Sequence, residues 1–216
     1  MPLNYSAMVG LRERKKLQTR IGISEAARRL FDVRGFEAVT VAEIARAADV
    51  SEVTVFNYFP TKEDLFYAGM HFFEEELIEA VVRRPVRQSA LAAFRRRVLE
   101  SGENLGESER AAAILKAGRH VAGSASLRAR EREIVDEYIA RLAGVLAAET
   151  GSAPDDVEPA VAAASMMAAH RTLVAYVRAR VSAGRRGPAL VEDFRGQARR
   201  AFARLEKGLG GYAVRA

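Results

Sequence analysis

Cysteine is absent from these 216 residues, and so is tryptophan. Without cysteine the chain forms no disulfide and offers no thiolate to a metal or a substrate. That usage fits a reducing compartment, so the expected location is cytoplasmic. Proline numbers only 6 and is scarce inside the periodic runs. Aromatics make up 7% while hydrophobic residues reach 49%, which leaves the core to Ala, Leu and Val and favours closely packed helices. No alternating polar and apolar stretch runs beyond a few residues, so an all-α fold follows. No apolar run approaches about 18 residues, so no membrane-spanning helix is expected. The first residues lack a basic segment followed by an apolar one, which argues against export. The motifs HExxH, GxSxG and the P-loop are missing, and an enzyme is not expected. His71, His120 and His170 lie far apart, and none has a glutamate three residues before it, so neither a metal nor any other cofactor is expected.

What is present begins with charge. The chain carries a formal +6 and a pI near 9.9, a surplus that attracts polyanions. Its placement is informative. Arg12, Arg14, Lys15, Lys16 and Arg20 stand against only Glu13 in the first twenty residues. A solvated helix face accounts for part of this; contact with phosphate or a minor groove accounts for it better. Residues 1–10 lack periodicity and read as a flexible start. A long helix then runs from about Leu11 or Gln18 to Arg34, with Leu17, Ile21, Ala27, Leu30 and Phe31 on its inner face and Gly35 as its stop.

The stretch Thr40 to Leu65, TVAEIARAADVSEVTVFNYFPTKEDL, holds three helix starts. Thr40 precedes Glu43 by three, Ser51 precedes Thr54 by three, and Thr61 precedes Asp64 by three. Each hydroxyl can accept a bond from an orphan N–H at a helix start. Starts so close together mean short helices, which need tertiary support. Ile44, Ala45, Ala48, Val50, Val55 and Phe59 supply the shared apolar seam. The result is a helix-turn-helix, whose second helix can enter a DNA major groove.

On these residues the chain resembles the TetR (tetracycline repressor) family. The family pattern is matched at Thr40, Ile44, Ala45, Ala48, Val50, Ser51, Thr54, Phe56, Tyr58, Phe59, Lys62, Glu63 and Leu65, with Ala26, Ala27, Leu30, Phe31, Gly35 and Phe36 upstream. Asp49 stands where the turn usually has Gly, and Asp tolerates the left-handed conformation better than most residues. Val53 replaces another common Gly. The resemblance implies a DNA-binding domain over residues 11–66 and a helical effector-binding and dimerisation domain over 67–216, about nine helices in all. It also implies a homodimer, a double-stranded DNA operator, and release by a small-molecule effector that is partly apolar. The expected function is a transcriptional repressor; an activator, or a constitutive DNA-binding protein without an effector, is the alternative.

Candidate DNA-binding residues are Thr40, Ser51, Glu52, Val53, Thr54, Phe56, Asn57, Tyr58 and Lys62. Asn can read adenine, Glu can accept from cytosine N4, and Thr can bond a base or touch a thymine methyl. Glu52 is equally well explained as a first-turn acid on the helix dipole. By resemblance, Tyr58 and Lys62 meet phosphate. The glutamates of the following helix, 74, 75, 76 and 79, read as solvent-facing. Candidate effector-lining residues are Phe94, His120, Tyr138, Met166, Met167, His170 and Tyr176, the larger or polar-tipped side chains on apolar faces. Phe94 and its companions also suit a plain core. In the last helix Phe194, Ala198, Phe202 and Leu205 recur at helical spacing and are expected at the dimer interface, beside an alanine-rich helix; the competing expectation puts them in the subunit's own core.

Overall fold

A computed structural model describes residues 10–214, and the side chains of residues 11 and 12 are not among those described. Of the start expected to be flexible, residues 1–10, all but Gly10 lie outside the described residues, as does the side chain of Arg12 of the basic cluster. Ten α-helices account for most of the described residues. No strand forms among the described residues beyond one isolated bridge between Ser89 and Val214. Two compact units are present, with the boundary between Gly69 and Met70.

The first unit holds α1 (Leu11–Arg34), α2 (Val41–Ala47), α3 (Glu52–Tyr58) and α4 (Lys62–Phe66). α1 packs on α2 and α4, and α2 packs on α3. Ile23, Ala26, Ala27, Phe31, Phe36, Ile44, Val55, Phe59 and Leu65 are buried together. The rings of Phe31, Phe36 and Phe66 lie 5.2 to 6.1 Å apart, centroid to centroid. Leu17 and Ile21, expected inside, are exposed. A 24-residue helix is about 36 Å long, while its seven-residue neighbours span roughly 10 Å, so they cover only its second half.

The second unit holds α5 (Ala68–Val82), whose first turn crosses the boundary, α6 (Ala90–Ser101), α7 (Ser108–Gly123), α8 (Ala125–Thr150), α9 (Glu158–Ser182) and α10 (Gly187–Leu209). Tyr67 ends α4 as its C-cap, so α4 and α5 are separate helices. Between α6 and α7 a 3-10 turn, Glu103–Gly106, packs against α6, α7 and α10. Ser124 alone separates α7 from α8, and its hydroxyl caps α8 by accepting from Leu127 N–H.

α9 packs on α7, α8 and α10. By length and composition α9 is apolar enough to cross a membrane, where the sequence reading found no such helix. Its face of Ala162, Ala163, Met166, Met167, Leu173, Val177 and Val181 is buried within the unit.

Phe194, Ala198 and Phe202 of α10 are buried in the subunit's own core, with Phe202 fully inaccessible and its ring 6.2 Å from that of Phe94. This corrects the expectation that they form a dimer face. A Cβ at Gly102 would overlap the Phe194 ring, so glycine is what lets α10 approach the end of α6. Leu205 is half-buried.

Arg84 is fully buried and ties three chain segments together. Its guanidinium donates to the carbonyls of Val81 (2.6 Å), Gln88 (3.0 Å) and Ala213 (2.7 Å), and forms a fork with Glu149 at 3.0 and 2.5 Å. A fork of this geometry is among the stronger hydrogen-bonded pairs.

Candidate nucleic-acid interface

Two short helices hold a rigid frame because both ends of each are closed. Thr40 Oγ1 accepts from Glu43 N–H, and Glu43 returns a carboxylate oxygen to Thr40 N–H at 2.9 Å. The carboxylate also receives Arg34 Nη1 at 2.7 Å. These bonds, from the Thr40 backbone first and then Arg34, hold the Glu43 carboxyl down at about 2.

At the other end of α2, Asp49 N–H donates to Arg46 O at 3.3 Å and Val50 N–H to Ala45 O at 3.0 Å. Asp49 has φ of 53°, the left-handed residue that this helix ending requires. The substitution of Asp for Gly is therefore accommodated as its side-chain chemistry predicts.

Ser51 then caps α3 by accepting from Thr54 N–H at 3.1 Å. Ile44, Ala45, Val55 and Phe59 close the seam beneath, which fixes the face that α3 presents. That face consists of Glu52, Val53, Phe56 and Asn57, all exposed, with Val53 at 70% and Phe56 at 48%. Two bare apolar side chains beside a carboxylate and an amide offer contacts for thymine methyls, a cytosine amino group and an adenine edge. Tyr58 is half-buried at the end of the helix.

Four candidates are engaged within the protein itself. Thr40 and Ser51 are caps. The Thr54 hydroxyl lies 2.8 Å from Ser51 Oγ, within hydrogen-bond distance of the cap. The structure turns Lys62 away from the expected phosphate contact. Its ammonium donates to Phe36 O at 3.0 Å and Val39 O at 3.2 Å, and lies 4.3 Å from the centre of the Phe36 ring. Exposed cations are found instead on the first turns of α1, at Arg14, Lys15 and Lys16. They sit on a helix rather than on an extended arm.

The candidate effector-lining residues do not gather around one cavity. Phe94 packs on Phe202, and Met166 and Met167 are buried in α9. The Tyr138 hydroxyl lies 3.3 Å from both Glu75 Oε1 and His71 O. His170 lies against Phe73, with ring centres 5.2 Å apart. Burial pushes the His170 imidazole down to about 4, so it stays neutral. His120 and Tyr176 are half-buried. Two surface grooves, of about 500 and 360 Å³, are lined by other residues: the larger by Gln88, Arg96, Leu99 and Arg195 among others, the smaller by Glu75, Ile78, Glu79, Val82 and Arg83. The sequence reading missed Glu74, which is buried rather than solvent-facing, and Arg84. Glu74 gives no local signal, since it stands in a run of acids.

Two short capped helices around a left-handed turn, with the second helix exposed, define a helix-turn-helix DNA-binding protein. Residues 23–68 match the family model for bacterial regulatory proteins of the tetR family. The chain is 30% identical over 151 residues to the HTH-type transcriptional regulator TcmR of Streptomyces glaucescens, covering 68% of this chain and 67% of that protein. Its fold is similar to that of SmeT, solved in complex with triclosan, with a TM-score of 0.55 and 20% identity, over 87% of this chain and 91% of SmeT. It is also similar to NalD, the secondary repressor of the MexAB-OprM multidrug efflux pump in Pseudomonas aeruginosa, with a TM-score of 0.54 and 21% identity, over 90% of this chain and 97% of NalD. The chain belongs to the tetR family, and it is a DNA-binding transcriptional regulator.

Proposed function

We propose that this regulator is a cytoplasmic homodimeric repressor that occupies a palindromic operator and leaves it when a small molecule binds the second unit. The observation that carries this reading is the exposed face of α3, where Glu52, Val53, Phe56 and Asn57 project from a helix capped at Ser51. Two such helices, related by a dimer two-fold, address half-sites about 34–36 Å apart. Residues 11–66 serve DNA, and 67–216 serve the effector and the dimer. The first supporting comparison is NalD, a repressor; the second is SmeT, which binds triclosan. A bound effector favours a subunit arrangement in which the two helices no longer match successive major grooves.

The dimer face is the exposed side of α9, where Val161, Ala168, Thr172, Ala175 and Ala179 follow one another at helical spacing. Small residues there let a second copy of the helix approach closely. Selection of bound duplexes from random DNA tests the reading. The expected result is a two-fold symmetric consensus, shifted as one complex with two chains per duplex. An asymmetric consensus bound by a single chain would refute it. Transcription from the selected site, with and without the regulator, then separates repression from activation.

A further inference from the structure

Glu74 lies on the second turn of α5 with 1% of its surface exposed, and neither carboxylate oxygen has a hydrogen-bond partner. Asp64, the other buried acid among the described residues, is engaged in the α4 cap. A buried polar group with no partner is costly and is kept where something else repays it.

The surroundings of Glu74 define what that something is. Glu131 and Glu137 on α8, and Glu75 beside it, all repel its charge, while Arg141 on α8 opposes them. Each of those other acids already holds a cation. Glu131 pairs with Arg178 of α9 at 2.6 Å, Glu137 with Arg130 at 2.9 Å, and Glu75 with Arg141. The Tyr138 hydroxyl is engaged with Glu75 and His71. His170 of α9 is neutral, and Arg97 of α6 lies over the Phe73 ring. No group of three His, Asp or Glu side chains among the described residues could hold a metal ion. Glu74 is left as an uncompensated acid close enough to Tyr138 for its charge to act on the phenol, and the Tyr138 ring lies 6.0 Å from that of His71.

We infer that Glu74 is the anionic anchor of the effector site, and that the effector is a lipophilic organic cation received between α5 and α8; this rests on the effector reading above. Such a cation supplies the charge that the acids lack and lays its apolar body against the Tyr138 ring.

Binding has a proton balance. Without a cation, burial first and then the neighbouring carboxylates push the Glu74 carboxyl up to about 8, so it is protonated at neutral pH. The cation pairs with the carboxylate, so the proton leaves to solvent as the cation binds. Affinity for the cation then rises about tenfold between pH 6 and pH 7, and levels off above the pH at which the empty site has lost its proton.

The test is titration calorimetry of the full chain with tetraphenylphosphonium, and with uncharged triphenylphosphine oxide, in buffers of different ionisation heat from pH 6 to 9. The wild type should release close to one proton per bound cation at pH 7, and far less at pH 9. Glu74→Gln mimics the protonated acid and should keep its helicity and operator affinity. It should lose at least tenfold in cation affinity, together with the proton release, and bind the oxide as the wild type does. Equal cation affinity in Glu74→Gln, binding without proton release, or no binding of the cation to the wild type overturns the inference. Proton release is read on the wild type alone, so the test stands even if the variant fails to fold. A mobility shift with the selected operator separates the two readings. Cation bound with proton release but operator retained supports the Glu74 site and overturns release by effector. Operator release by an uncharged molecule only supports release by effector and overturns the Glu74 anchor.

Discussion

Lys62 holds two carbonyls 23 and 26 residues away, and this changes what its loss does. Lys62→Met removes a charged donor from Phe36 O and Val39 O, so the first unit should lose about 1–3 kcal/mol of stability. Urea unfolding checks this. The salt slope of DNA binding should stay the same, because the ammonium faces the protein; a slope lowered by about one, with stability unchanged, would return Lys62 to a phosphate. Asn57 has the opposite character. It is exposed on α3, and none of its bonds within the chain is needed for the cap. Asn57→Ala should leave stability intact and relax base preference at one position per half-site, by about 1–3 kcal/mol in the selected consensus. The two residues show what a sequence discloses at this scale. The caps at Thr40, Ser51 and Thr61 were legible because each partner lies three residues on. The partners of Lys62, and the burial of Glu74 among its acidic neighbours, depend on segments brought together only by folding.

An element is decided largely at its ends, and α2 shows both ends. The folded Glu43 carboxyl sits near 2, below its ordinary 4.5, so Glu43 stabilises the capping box at pH values above about 4.5. That stabilisation fades as the pH falls from 4.5 toward 2, because the unfolded chain takes up the proton first. The stability difference between the wild type and Glu43→Gln should therefore shrink across that window, as followed by circular dichroism in urea. At the other end, Asp49→Val places a β-branched side chain at φ of 53° and should cost about 1–2 kcal/mol, while Asp49→Gly should be tolerated. The helical period of α10 was legible because its inward residues repeat regularly. The break at Tyr67 was not, since its flanking residues continue the same apolar rhythm. Arg84 was also hidden, because its partners lie on α8 and at Ala213. Arg84→Met strands a carboxylate and three carbonyls and should lower the stability of the second unit by about 3–5 kcal/mol.

The two-fold operator proposed above asks for a surface that copies can share, and burial decides which residues are free to form it. Phe194, Ala198 and Phe202 are not free, since they fill the space beside α6 and the 3-10 turn within one subunit. The apolar repeat of α10 announced burial correctly, but periodicity cannot distinguish burial within a chain from burial between chains. Exposure can. Along α9 the inner face carries Met166, Met167, Leu173 and Val177, and the outer face carries Val161, Ala168, Thr172, Ala175 and Ala179. An outer face of such short side chains gains little from water and permits close approach of a second helix. Ala175→Arg inserts a long charged side chain in the middle of that face without touching the core. It should give a folded, fully helical monomer in sedimentation and circular dichroism. Operator affinity should fall by roughly 100-fold or more, because each recognition helix then binds without its linked partner. Phe202→Glu makes the control, since a charge in the subunit's own core should unfold the second unit rather than divide a dimer. A dimeric Ala175→Arg with unchanged operator affinity would move the shared surface off α9, to the exposed side of α10 at Arg200, Ala203 and Lys207.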